Sequence, residues 1–336
     1  MSTSQIRAIQ AFVSLHNRNA IGHAIRASVD LGILKALESG QKTALQLAEQ
    51  LKLKTDPLQK LLDVLEETEL IERYQDDYAL STVARLIPSS LHDFGDRHWQ
   101  YLTNYVRTGT SIAADQDLPA TDRDFLISKA SQEWTLTPAS LEMANLMGIG
   151  MQRKGLEVLD LGCGAAVFGA TIGHRDSTSK ITLLDHAAGL ARAEEMAKGV
   201  ELEQQVSYLA GDYTQLEKIG ELDERAFDLV IVSGRIHHHT RQECKDIFKQ
   251  VRTILKPKGE LALIDVMPDA IGSKADERGH LTSAIFDLEV NLRSSKGAIH
   301  DVDDLKEDLK TSGFSKAEVH RLDAPPYLWT LVLAAV

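Results

Sequence analysis

Beyond roughly residue 150, short apolar runs alternate with helical stretches, and this alternation limits the fold more than any other feature of the chain. Five runs read as strands: residues 157–161, 180–185, 206–209, 227–232 and 260–266. Strands that are apolar throughout are buried on both faces, which predicts a parallel sheet wrapped by helices. Residues 242–255 read as one such helix, closed by Lys256-Pro257-Lys258-Gly259 as a stop signal. Two further strand-like runs lie near 317–322 and 328–336, with Pro325-Pro326 in the turn, making seven. The last connection is too short for a helical crossover, so that pair is expected to be antiparallel.

Before residue 150 the pattern is mostly helical. Thr43 followed by Gln46 forms a capping box for one short helix, and Asp56-Pro57 starts the next. Leu58, Leu61, Leu62 and Leu65 share one face of that second helix. Residues 71–80 read as a β-hairpin around Tyr74-Gln75-Asp76-Asp77-Tyr78, so the order is that of a winged helix-turn-helix. DNA contact is disfavoured, because the second helix offers Lys60 against Asp63, Glu66, Glu67 and Glu69. The net charge of −12, from 37 Lys+Arg against 49 Asp+Glu, points the same way, and no nucleic-acid partner is expected. Upstream, Ile6, Ile9 and Val13, with Phe12 beside them, form a heptad-like seam that stops at His16. A further apolar segment spans residues 21–37, and together they predict a homodimer sealed by N-terminal helices. Cys163 and Cys244 make neither a disulfide framework nor a Cys-x-x-Cys metal pair. Neither a signal-peptide core nor a membrane-spanning run is visible, so the expected compartment is the cytoplasm.

The most informative stretch is Val158-Leu-Asp-Leu-Gly-Cys-Gly-Ala-Ala-Val-Phe168, where a strand runs into Gly162 and Gly164 before a helix. Glycines let the backbone approach a ligand at the carboxyl edge of a sheet, where open α/β folds bind ligands. Nicotinamide, flavin and adenosyl-methionine proteins all use such a turn, but Val167 stands where a dinucleotide site has its third glycine. Three carboxylates fall at successive strand ends. Asp160 is placed to receive an ammonium group, directly or through water. Asp185, 21 residues after Gly164, is placed to accept two ribose hydroxyls. Asp212 suits an adenine amino group, with Tyr213 against the ring. Any one of them alone could be a helix cap or turn residue.

After the fourth strand comes Ser233-Gly-Arg-Ile-His-His-His-Thr240. Adjacent histidines point in different directions and have no partner motif nearby, so no metal is expected. The readings that stay open are a solvated loop and a general base beside the ligand.

The chain resembles the class I S-adenosyl-methionine-dependent small-molecule O-methyltransferases with an N-terminal winged-helix dimerisation domain. The resemblance is carried by Asp160-Leu-Gly-Cys-Gly164, Gly211-Asp212, Ile236-His237-His238, Lys256-Pro-Lys-Gly259 and Ser312-Gly-Phe314, with Trp99 and Val106-Arg-Thr-Gly109 in linking helices. It implies a Rossmann-like seven-stranded sheet with the last strand reversed, an interlocked dimer, and S-adenosyl-methionine as cofactor. It implies domains at 1–90 (winged helix), 91–150 (linking helices) and 151–336 (cofactor binding). A third glycine usual in the family is Ala166 here, which places one methyl beside the ligand. Ser233 joins Asp160, Gly162, Gly164, Asp185, Asp212 and Tyr213 in the cofactor set. By resemblance His237 is the base and Asp265 its orienting acid. A second acid that some members carry is absent, and His300 lies in that region, either facing the substrate or plain surface. Residues 283–292 resemble the acceptor-lining helix, with Asp287 and Asn291 on one face, unless that face is simply amphipathic. Trp99 and Tyr101 either wall the acceptor pocket or fill a core. The expected activity is methylation of a hydroxyl on a small aromatic or phenolic acceptor. The alternatives are N- or C-methylation, a non-methylating relative, or a cofactor-binding winged-helix regulator.

Overall fold

The computed structural model describes residues 2–86, 96–120, 135–222, 227–267, 277–322, 324 and 329–336. It forms two compact units, Met1–Gln100 and Tyr101–Val336, so the linking segment predicted for 91–150 is divided between them.

In the first unit the seam and the first part of the apolar segment, up to residue 30, join in one 28-residue helix, α1 (Thr3–Asp30), opened by a capping box between Ser2 and Gln5, and the rest of that segment falls in the next helix. His16 does not interrupt it, because a polar side chain on an exposed helix meets nothing that would break the backbone bonds. Ile6, Ile9, Phe12, Val13, Leu15 and Ile21 are exposed along α1, Phe12 by 68%. Helices α2 (Ile33–Glu38), α3 (Ala44–Leu51) and α4 (Thr55–Glu67) pack with strands β1 (Lys42–Thr43), β2 (Ile71–Tyr74) and β3 (Asp77–Leu80). The three strands order as β1-β3-β2, all antiparallel, which completes the wing. The Thr43–Gln46 box caps α3 as read from sequence. Helix α4 begins at Thr55, so Pro57 sits within its first turn rather than at its first position. Leu58, Leu62 and Leu65 are buried from one face of α4, while Lys60, Asp63 and Glu67 are exposed.

The second unit is built on strands β4 (Glu157–Leu161), β5 (Lys180–Asp185), β6 (Val206–Ala210), β7 (Phe227–Ser233), β8 (Leu255–Val266), β9 (Lys316–Arg321) and β10 (Trp329–Ala335). They form one seven-stranded sheet in the order β6-β5-β4-β7-β8-β10-β9. The pairs from β6 to β8 are parallel, and β10 runs antiparallel to both β8 and β9. Pro325, Pro326 and Leu328 lie outside the described residues. Successive strand residues alternate between two cores. Leu159, Leu161, Val230, Val232, Leu261 and Leu263 face one, and Val158, Leu183, Leu229, Ile231 and Ile264 the other. Helices α5 (Thr137–Leu146), α6 (Val167–Arg175), α7 (Ala187–Gly199), α8 (Arg241–Ile254), α9 (Glu277–Arg293) and α10 (Val302–Thr311) accompany the sheet.

A further expectation changes. Helix α8 stops at Ile254, but Lys256–Gly259 do not form a free turn; they lie inside β8. Leu255 pairs with Phe227 and Glu260 with Leu229, so the four residues between bulge out, with Lys258 at φ +71°. Proline has no amide proton for a ladder, and the bulge removes that demand. From β4 the chain moves outward to β5 and β6, then returns to β7 and β8 on the other side. The reversal leaves a crevice at the carboxyl ends of β4 and β7, where open α/β sheets take ligands. Among the described residues no helix is long and apolar enough to cross a membrane, and no group of three or more His, Cys, Asp or Glu could hold a metal ion.

Candidate active site

Gly162 at φ +66°, Gly164 at +56° and Ala166 at +57° turn the chain from β4 into α6. The turn is tied to β5: the amides of Gly162 and Cys163 donate to the Leu184 carbonyl at 2.8 and 3.1 Å. Asp185 at the end of β5 accepts from the Gly164 amide at 2.7 Å with one oxygen and from the His186 amide at 2.7 Å with the other. Asp160 is 1% exposed, and its Oδ2 accepts from the Gly169 amide at 2.8 Å, which binds β4 to the first turns of α6. Ala166 holds a left-handed conformation that costs any side chain, and it is buried in a cluster with Phe168 and Ile172.

Arg235 was not singled out by the sequence, yet it lies across this turn. Its Nε donates to the Gly162 carbonyl at 2.5 Å, and its Nη2 is 3.7 Å from Asp185 Oδ2. A Cβ added to Gly162 would lie 3.2 Å from both Arg235 Cγ and Tyr213 Cδ1, so a side chain there would crowd the crevice. The only signal was its position two residues past β7, inside a string whose histidines drew the attention. Tyr213 donates to or accepts from His239 Nε2 at 2.8 Å, and burial pushes its hydroxyl up to about 12. Burial also lowers the pKa of His239. Asp212 is turned toward its own loop, accepting from the Thr214 amide and hydroxyl with Oδ1 and from Gln215 with Oδ2. Burial alone would raise its pKa, but those bonds outweigh it and hold the carboxyl below its ordinary range. Asp212 lines a separate hollow with Gly211 and Ile219.

The histidine string forms a single turn, Ile236–His238, after β7. His237 is 5% exposed, and its Nδ1 is 2.8 Å from Oδ1 of Asp265, which is 1% exposed near the end of β8. The pairing follows from register: Ser233 sits opposite Ile264, which sets the next residue of β8 beside the turn. Asp265 also accepts from the amides of Val266 at 2.8 Å and His237 at 3.3 Å, so its carboxylate is fixed from several directions. A carboxylate on Nδ1 assigns the proton to that nitrogen and leaves Nε2 with a free lone pair. The Phe286 ring meets His237 edge-on, centroids 5.1 Å apart, and the His238 ring is 4.1 Å away. His237, His238, Ser233, Ala165, Phe168, Phe286 and Trp329 line a cavity that opens to solvent.

Residues 158–259 match the methyltransferase domain family, and residues 14–90 match the O-methyltransferase dimerisation domain family. It belongs to the S-adenosyl-methionine-dependent O-methyltransferases. The mitomycin biosynthesis 6-O-methyltransferase of Streptomyces lavendulae is 25% identical over 281 residues, 73% of this chain and 74% of that protein. Human N-acetylserotonin methyltransferase, solved with S-adenosyl-methionine, superposes at a TM-score of 0.73 with 18% identity, covering 100% of this chain and 99% of that one. The N,N-8-amino-8-demethyl-D-riboflavin dimethyltransferase of Streptomyces davawensis gives 0.70 with 18% identity over 100% and 99% of the two chains. At these identities the two structures show the fold.

In this methyltransferase the acceptor-side expectations are only partly met by the placement of the residues. Helix α9 turns Phe286 toward the cavity, while the adjacent Asp287 is exposed and bonded to Asn291, whose Nδ2 donates to Asp287 Oδ1 at 3.1 Å. Successive residues on a helix are 100° apart, which points the exposed Asp287 in a different direction from the buried Phe286. Trp99 lies in the first unit, its ring tilted against His98 at 4.9 Å. Tyr101 donates to Asp115 at 2.5 Å. His300 is not at the cavity wall; it bonds the backbone of the histidine turn. Phe286 and Trp329, which sequence reading did not single out, line the cavity.

Proposed function

We propose that this enzyme methylates a hydroxyl of a small aromatic acceptor, with His237 as general base. The observation that carries the reading is the buried His237–Asp265 pair at 2.8 Å opening onto a cavity walled by Phe168, Phe286 and Trp329. Bound S-adenosyl-methionine supplies a methyl group already activated by its sulfonium. The crevice suits it: a Cβ on the left-handed Gly162 would press on Arg235 and Tyr213, and the carboxylates of Asp160 and Asp185 are fixed at neighbouring strand ends. Gly162, Gly164, Asp160, Asp185, Tyr213 and Ser233 would hold it, with Asp212 at the edge of the adjoining hollow. What remains for the protein is alignment, exclusion of water and removal of one proton. His237 Nε2 takes that proton from the acceptor hydroxyl. Asp265 stabilises the imidazolium so formed, as base–orienter pairs do. The flat apolar walls favour an aromatic ring, which stacks or meets the rings edge-on.

The enzyme is proposed to act as a homodimer through α1, whose exposed apolar side chains exceed what an isolated surface helix carries. A monomeric mass by light scattering at micromolar concentration would contradict this. Activity is tested by incubating the protein with methyl-labelled S-adenosyl-methionine and a panel of phenols, amines and activated carbons, read by mass spectrometry. His237→Gln should lower turnover by about 10²–10⁴-fold and leave cofactor affinity nearly unchanged. Unchanged turnover on the best acceptor would remove His237 from the chemistry, and methylation confined to amines or carbons would overturn the hydroxyl assignment.

A further inference from the structure

The segment after α9 runs as a strap beneath the histidine turn. His300 Nε2 lies 3.0 Å from the Ile236 carbonyl and 3.1 Å from the His239 carbonyl, the two that bracket His237 and His238. A ring nitrogen facing two acceptors carries the proton, so one N–H is shared between both ends of the turn. Two residues earlier the Ala298 amide donates to the His237 carbonyl at 3.0 Å. The strap approaches this closely because residue 297 is glycine: a Cβ there would lie 3.0 Å from the His237 carbonyl and 2.5 Å from Val290. Cys244 backs the same place, its Sγ 3.7 Å from both the Ile236 carbonyl and His300 Nε2, and burial pushes the thiol up to about 12, so it stays protonated.

The carbonyls of Ile236, His237 and His239 are thus all held from residues 298–300. Asp265 sets the rotation of the His237 ring, but the aim of Nε2 depends equally on where the backbone carries that ring. We propose that His300 is a positioning residue for the proposed base: its shared N–H locks the turn so that His237 meets both Asp265 and the acceptor. This rests on the reading of His237 as base. It also gives His300 a task other than the substrate contact expected from its place in the sequence.

The test compares His300→Leu, which fills the space without a donor, with His300→Gln, whose amide can still donate. The probe in the folded protein is the downfield proton resonance of the His237 Nδ1–H, assigned by its loss in His237→Gln. Turnover is measured with methyl-labelled S-adenosyl-methionine and the phenol panel, and cofactor affinity by calorimetry. In His300→Leu the resonance should exchange with water at least about 10-fold faster, and turnover should fall about 10–100-fold with cofactor affinity within about twofold. His300→Gln should recover most of both. A Leu variant that matches wild type, a Gln variant as poor as Leu, or equal losses in turnover and cofactor affinity would each overturn the proposal. Should the Leu variant not fold, His300→Ala takes its place, with added imidazole expected to restore turnover; no restoration counts against the strap. Wild-type turnover in His237→Gln would overturn the base reading and this inference with it. A crippled His237→Gln beside an intact His300→Leu would overturn this inference alone.

Discussion

Asp265→Asn is the substitution that isolates the proposed orienting acid, because it keeps the shape and removes only the charge. In the protein Oδ1 faces His237 Nδ1 at 2.8 Å while also accepting the Val266 amide, and both side chains are buried. Two consequences follow from an amide there. If its NH₂ faces the ring, Nδ1 must become an acceptor, the proton moves to Nε2, and the nitrogen facing the cavity can no longer take one. If its oxygen faces the ring, the tautomer survives, but the imidazolium formed during proton removal loses its counter-charge. Two unit charges about 4 Å apart at an effective dielectric of about 20 attract by about 4 kcal/mol. At about 1.4 kcal/mol per decade this is about three decades of turnover. The expected loss at neutral pH is therefore about 10²–10⁴-fold in kcat, with cofactor Kd within about twofold. The deficit should narrow as pH rises toward about 10, because a phenol with its pKa there gives up its proton unaided. The assay is initial-rate methyl transfer at several pH values, with calorimetry for the cofactor. A kcat at neutral pH within about threefold of wild type would refute the orienting role of Asp265.

Asp185→Ala should weaken S-adenosyl-methionine binding by about 10–100-fold, since charge-assisted hydrogen bonds contribute about 1.5–3 kcal/mol each; equal affinity by calorimetry would contradict its placement. Ala166→Gly removes a left-handed strain of about 1–2 kcal/mol. It also forfeits about 0.8 kcal/mol of methyl burial and loosens the unfolded chain by about 0.4–1 kcal/mol. Stability should therefore stay within about 1 kcal/mol and cofactor affinity within about twofold, and a large gain in affinity would show that the methyl does face the ligand. Asp176 accepts from the Gly155 amide and from Thr178 and Ser179; burial opposes ionisation, but these bonds outweigh it and bring the carboxyl down to about 2. A carboxyl depressed in the folded state stabilises it above the ordinary carboxylate range and loses that contribution as pH falls toward about 2. Asp176→Asn should accordingly melt below wild type at neutral pH and approach it in acid, a trend that thermal scans across pH would show or deny.

The residues that sequence alone determined are those whose chemistry is local. The strands Glu157–Leu161 and Lys180–Asp185 were legible to the residue, because an apolar run ended by an acid or a glycine has no helical alternative of that length. The Thr43 box and the hairpin from Ile71 to Leu80 were legible for the same reason, each being settled within a few residues. The glycine turn was legible too, as a strand running into Gly162 and Gly164 before a helix, whereas the pairing of His237 with Asp265 was anticipated through family resemblance. Only the tertiary structure decided the rest. Whether an Asp at a strand end looks outward or caps its own loop depends on which donors the fold brings near, and Asp212 found Thr214 and Gln215. The reach of Arg235 to Gly162 spans 73 positions, and that of His300 to Ile236 spans 64. No local pattern encodes such contacts, since they exist only once the sheet has set its strands side by side and laid their connecting turns against one another.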